Sequence, residues 1–155
     1  MGSEEAEQRQ RVCAIARTWL LTPFRDQGKV KGPHGAVDCA MLLVATFQDA
    51  GLVDPHFDPR PYPPQWHLHR SDEKFLAIVG SFAKEVHRAP VPGDVIVWQV
   101  ARCFSHGGIV VENGHVIHAY YKTGHVSLSS LNETELALLR NGRPRPFKLF
   151  DLWAK

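Results

Sequence analysis

Apolar residues first recur along the chain at helical spacing. Val12, Ile15, Ala16, Trp19 and Leu20 lie three and four positions apart within residues 4–21, which predicts an amphipathic helix with one stripe against a core. Thr22-Pro23 ends it, because the residue before a proline is steered away from helical backbone. Gly28, Gly32, Pro33 and Gly35 mark residues 24–36 as a loop leading to Asp38, a residue type suited to capping a helix N-terminus. From Cys39 to Ala50 nearly every position is apolar, so this second helix belongs inside the molecule, with Gly51 closing it.

Five of the eleven prolines (Pro55, Pro59, Pro61, Pro63 and Pro64) fall within residues 54–66, which excludes helix and central strand there. Ser71-Asp72-Glu73-Lys74 opens a third helix reaching His87, with Phe75, Ile78, Val79 and Phe82 on one face. After the turn Pro90-Val91-Pro92-Gly93-Asp94 the runs become short and β-rich: Val95 to Val100, His106 to Val111, Val116 to Tyr121 and Val126 to Leu128. A short helix over Asn132 to Arg140 and a last strand over Phe147 to Leu152 complete the reading. Helices first and antiparallel strands afterwards predict an α+β fold, an antiparallel sheet with the helices on one face.

The length of 155 residues fits one domain, residues 1–155, and 44% apolar with 22% charged residues is ordinary for a soluble globular protein. No window is apolar enough for membrane insertion. The net charge of +2 comes from scattered Lys and Arg, which leaves no basic stripe for nucleic acid. Met1-Gly2-Ser3-Glu4-Glu5 is acidic where a secretory leader is basic and then apolar, so synthesis in the cytoplasm without a signal peptide is expected.

Three cysteines, an odd number without a C-x-x-C pair, argue against a disulfide framework. Cys13, inside Val12 to Ala16, reads as a small buried hydrophobe. Cys103 follows Arg102 in an expected loop with no helix behind it, and is given a structural role. His67 and His69 alternate with Trp66 and Leu68 as a ligand pair would, yet no third ligand follows at suitable spacing, so neither metal nor cofactor is expected.

Cys39 is different, because the free N–H groups and macrodipole of a helix start favour the thiolate that nucleophilic chemistry needs. The segment alone also fits a cysteine that merely fills the core. The hairpin after Ser105 decides. If Asn113-Gly114 formed a two-residue turn, His106 and His118 would project from opposite faces. A three-residue turn, Glu112-Asn113-Gly114 with Gly114 left-handed in a bulge, sets Gly108 opposite His118 and places both imidazoles on one face. That turn is the expectation. It supplies a general base, His106, held by an orienting partner, His118, beside Gly107 and Gly108, which leave room for close approach.

Asp38-Cys39 opening an apolar helix, Pro92-Gly93-Asp94-Val95 before a strand, His106-x-Gly108-Ile109, Asn113-Gly114 and Ile117-His118-Ala119 together resemble the NlpC family of papain-like cell-wall peptidases. The resemblance runs from Trp19 to Tyr121. It implies a papain-like fold with a Cys39–His106–His118 triad and hydrolysis of peptidoglycan stem peptides, commonly between D-glutamate and a diamino acid. The chain departs from the family pattern at Ala40-Met41, where Ser-Gly is usual, and at Phe24, where a Tyr near the oxyanion hole is usual. The Cys39 N–H is then one oxyanion donor, with Gln27 or His34 from the 24–36 loop as the second.

Tyr120 and Tyr121 alternate faces, and Tyr120 is the one expected to border the site. Arg25, Arg60, Arg70 and Arg102 are candidate binders of an acidic peptide, among which the sequence does not choose. The Asp-Cys-Ala-Met variant and the loop carrying Asp58 to Tyr62 and Trp66 to His69 resemble the branch associated with phage tails and gene-transfer particles. This implies tail-tip partners and delivery to the cell wall with a particle. A papain-like amidase or acyltransferase on another substrate, and a structural tail component without activity, are the alternatives.

Overall fold

The computed structural model describes residues 1–62, 73–132 and 135–155. Helix α1 is Ser3–Arg17, the two-residue strands β1 (Lys29–Val30) and β2 (Ala36–Val37) pair with each other, and α2 is Cys39–Asp49. Helix α3 is Lys74–Gly80, followed by β3 (Lys84–Val86), β4 (Val95–Val100), β5 (Cys103–Val111), β6 (His115–Tyr120), β7 (His125–Ser130) and β8 (Phe147–Asp151). These last six strands form one antiparallel sheet in the order β3-β8-β4-β5-β6-β7.

Alternation within the strands sends residues to two cores. Val95, Val97, Ile109, Val111, Ile117, Ala119 and Val126 face the helices and pack with the apolar body of α2, where Met41, Leu42, Val44 and Phe47 are fully buried. Ile96, Trp98, Val110, Val116, Tyr120 and Leu149 face the other way and pack with Leu136. The α+β expectation with α2 central is met.

A buried ion network joins the layers. Arg9 of α1 meets Asp94 and Asp151, each at 2.9 Å, and Arg88 meets the same two carboxylates at 2.7 Å. Asp94 also accepts from the Val91 N–H. The Pro-Gly-Asp turn therefore clamps α1 to the start of β4 and the end of β8.

Several boundaries differ from expectation. Helix α1 stops at Arg17 rather than Leu21, because Leu21 takes a left-handed φ of 72° and its N–H bonds to the Val126 carbonyl oxygen. The third helix ends at Gly80, not His87, and residues 84–86 become a strand on the edge of β8. Its expected start at Ser71 lies outside the described residues, as do His67, His69 and Arg70. Among the described residues of 132–140 there is no helix. Leu136 fills the second core there, and Arg145 engages the Leu136 and Gln99 carbonyls that regular elements would use. Cys103 is not in a loop but is a buried residue at the start of β5.

Candidate active site

The site forms where the sheet opens. Strands β5 and β6 pair from Val111↔His115 only as far as Gly108↔His118, after which β6 continues against β7 to Tyr120↔His125. The main chain of β5 before Gly108 is thus left without its β6 neighbour, and its polar groups need other partners. Cys39 supplies one. Its Sγ lies 3.8 Å from the Ser105 carbonyl oxygen, and the Gly107 N–H is among the backbone donors that favour the sulfur anion. The sulfur therefore rests against the residues on both sides of His106.

Helix α2 is aimed there by its cap. Asp38 is extended at the N-cap and accepts from the Met41 N–H at 2.8 Å. Its other oxygen accepts from the Gln27 N–H at 2.7 Å and from the Tyr62 hydroxyl. A buried carboxylate with three donors is satisfied, although burial still pushes it above the usual carboxylate range. Gly107 has a steric reason as well: a Cβ there would lie 2.9 Å from the Phe75 ring and 3.0 Å from the Ile96 carbonyl oxygen.

The register Gly108↔His118 is the one predicted from a three-residue turn, with Asn113 and Gly114 both left-handed at φ 63° and 70°. His106 and His118 consequently share a face, and Nε2 of His106 lies 2.9 Å from Nδ1 of His118. Nε2 of His118 in turn lies 2.9 Å from Oγ of Ser129. With Nε2 engaged, Nδ1 is the His106 nitrogen left for proton transfer.

His106 is boxed by aromatic rings. Trp98 stacks on it at 5.5 Å and 15°, and Tyr120 packs against it at 4.8 Å. Tyr120 forms one wall of this box, and Tyr121, 47% exposed, packs edge-on against it.

Burial governs the protonation states. It pushes the Cys39 thiol well above its ordinary value, the Asp38 charge adds to this, and the N–H groups of Ala40, Gly107 and Cys39 itself oppose it. His106 is held well below the usual imidazole range by burial, then by His118 and Arg145. Burial also lowers His118, to about 4. The helix end favours the thiolate as expected, yet desolvation outweighs it, and the resting pair is neutral thiol and neutral imidazole.

The other expected residues are placed differently. Gln27 reaches the site through its backbone, its N–H on Asp38 and its carbonyl oxygen on Arg60. His34 is exposed in the turn between β1 and β2. Arg60 pairs with Asp58 at 2.7 Å. Tyr62 and Ser129 were not anticipated. The alternation of Val126 with Ser127 and Ser129 is the signal that puts Ser129 on the histidine face, whereas nothing local marks Tyr62 among its prolines. Among the described residues no group of three or more His, Cys, Asp or Glu side chains is placed to hold a metal ion.

Solved structures share this architecture. NlpC2 from Trichomonas vaginalis matches with a TM-score of 0.64 and 17% identity over 96% of this chain, which spans about half (47%) of that protein. The peptidoglycan hydrolase RipB from Mycobacterium tuberculosis matches at 0.58 and 17%, over 100% of this chain and 70% of its own. RipD from the same organism, a non-catalytic NlpC/p60 domain protein adapted to peptidoglycan binding, matches at 0.55 and 15%, over 94% and 97%. Comparison with curated proteins finds no match. The fold is thus the papain-like α+β arrangement of these proteins. The model of the NlpC/P60 family matches residues 22–137, well over half of the sequence, and the chain belongs to that family.

Proposed function

We propose that the chain is a cysteine hydrolase that cleaves an amide bond in peptidoglycan stem peptides, of the D-glutamyl–diamino acid endopeptidase type. The observation that carries this is the placement of Cys39 Sγ against Ser105 and Gly107, on either side of a base, His106, whose far nitrogen is held by His118. Peptidoglycan as substrate rests on family membership and on relatives such as RipB.

In this reading Nδ1 of His106 takes the thiol proton as the sulfur attacks the amide carbonyl carbon. Because thiol and imidazole both rest neutral, proton transfer accompanies attack rather than preceding it. The Cys39 N–H is the oxyanion donor. The tetrahedral intermediate collapses as His106 returns the proton to the leaving amine, and a water activated by His106 hydrolyses the thioester. Association with a phage-like particle is part of the proposal and rests on the resemblance of the Asp38-Cys39-Ala40-Met41 segment alone.

The test is digestion of purified peptidoglycan followed by mass spectrometry of the released peptides. New D-glutamyl carboxyl ends from the wild type, absent with Cys39→Ala, are expected. Release of a different fragment would establish an amidase or another hydrolase. Sedimentation with peptidoglycan without any cleavage would put the chain with RipD-like binders and end the hydrolase reading.

A further inference from the structure

We propose that Ser129 is a positioning residue of this site: its hydroxyl, accepting from His118, sets the tautomers of both histidines so that His106 presents a lone pair to Cys39. The inference rests on the hydrolase reading and extends it by one residue on a strand that carries none of the triad.

Each neutral imidazole carries one N–H. The 2.9 Å gap between Nε2 of His106 and Nδ1 of His118 therefore holds a single proton, which sits on one ring or the other. With the proton on His106 Nε2, Nδ1 of His106 is bare and can accept from the thiol. His118 must then carry its proton on Nε2, 2.9 Å from the Ser129 oxygen, which accepts it. With the proton on His118 Nδ1, His106 carries its own on Nδ1 and cannot act as a base, and Ser129 would have to donate to His118. The direction of the Ser129 hydrogen bond and the competence of the base are therefore one choice.

The site can accommodate the first arrangement. Ser129 is half-buried, so its hydroxyl proton can turn to water while a lone pair receives His118. When the S–H bond of Cys39 breaks and the Nδ1–H bond of His106 forms, the imidazolium keeps its Nε2–H on His118 Nδ1 without any ring turning. Burial keeps His118 neutral for this task. Arg145 is the charged group that acts on His106, and the Tyr120 ring packs beside it.

The experiment compares wild type, Ser129→Ala and Ser129→Thr near neutral pH. Long-range nitrogen–proton NMR on labelled histidine should show both rings of the wild type as the Nε2–H form, and mixed forms in S129A. Loss of one hydrogen bond should lower kcat on peptidoglycan fragments, and the rate of Cys39 alkylation by iodoacetamide, by about three- to tenfold with KM unchanged. S129T should restore tautomers and rates. Wild-type His118 found in the Nδ1–H form, or S129A with tautomers and rates unchanged, would overturn the assignment. Failure of the wild type to cleave peptidoglycan would strike the function instead, since NMR and alkylation read the histidine chain without turnover.

Discussion

Two imidazoles buried side by side make stability fall steeply under mild acid. His118 is 2% exposed and burial lowers it to about 4, whereas in the unfolded chain it takes up a proton near 6.5. Between those values the unfolded state binds a proton that the folded state refuses. Stability is therefore full above about pH 6.5 and is lost as pH falls toward about 4. The gap corresponds to about 3 kcal/mol from His118 alone, a large part of the roughly 5–15 kcal/mol typical of a domain. His106, 5% exposed and lowered further, adds in the same direction. Asp38, raised by burial, acts with the opposite sign from its ordinary range upward, so the clean measurement is a difference between variants.

Urea unfolding of wild type and His118→Asn between about pH 7 and 5 provides it. Asn keeps an acceptor for His106 and cannot titrate. The wild type should lose stability with a slope approaching two protons, and H118N with a slope smaller by about one proton, or about 1.4 kcal/mol per pH unit. Equal slopes, or a flat wild-type profile over this range, would show that His118 is not held neutral by burial and would refute the reasoning.

Other outcomes follow from the packing. Asp94→Ala removes the more deeply buried of the two carboxylates that Arg9 and Arg88 share, leaving them Asp151 alone, and should cost about 3–5 kcal/mol in chemical denaturation. Gly108→Ala sets a Cβ 2.6 Å from Val116 Cγ2, 2.8 Å from the Ile117 carbonyl oxygen and 2.9 Å from His118 Cβ. Gly107→Ala meets chiefly a side-chain ring, so G108A should lower the melting temperature more, each costing at least about 1–3 kcal/mol. Tyr62→Phe removes one of three donors to buried Asp38 and should cost about 1–3 kcal/mol, measured by urea unfolding at neutral pH.

How much of this was legible depends on how local the determinants are. Helix α2, its Asp38 cap and the β5–β6 register are set by residues next to one another: an apolar run behind an N-cap, and a turn whose length fixes which side chains share a face. The spatial union of His106 and His118 could be read for that reason. Strand β3 could not, because Lys84-Glu85-Val86 is a strand only through pairing with β8, far along the chain. The segment after β7 fails for a similar reason, since Leu136 is claimed by a core on the far side of the sheet and Arg145 takes its carbonyl. Tyr62 reaches Asp38 by the course of a proline-rich loop, which no periodicity encodes.

The opening of the ladder at Gly108↔His118 links fold and chemistry. An interior strand deprived of one neighbour exposes a carbonyl and an N–H, and here a thiol at a helix end occupies that gap. The same divergence carries His118 away toward β7, where Ser129 can receive it. A protein that needed only the fold would do better with an apolar pair at His106 and His118, which would fill the aromatic box without the acid sensitivity worked out above. RipD is a non-catalytic NlpC/p60 domain protein, so the architecture occurs without catalysis. Carrying two buried neutral imidazoles hydrogen-bonded to each other, at a cost in stability, is what a proton-transfer site requires and a scaffold does not, and this weighs toward the proposed hydrolase over an inert structural component.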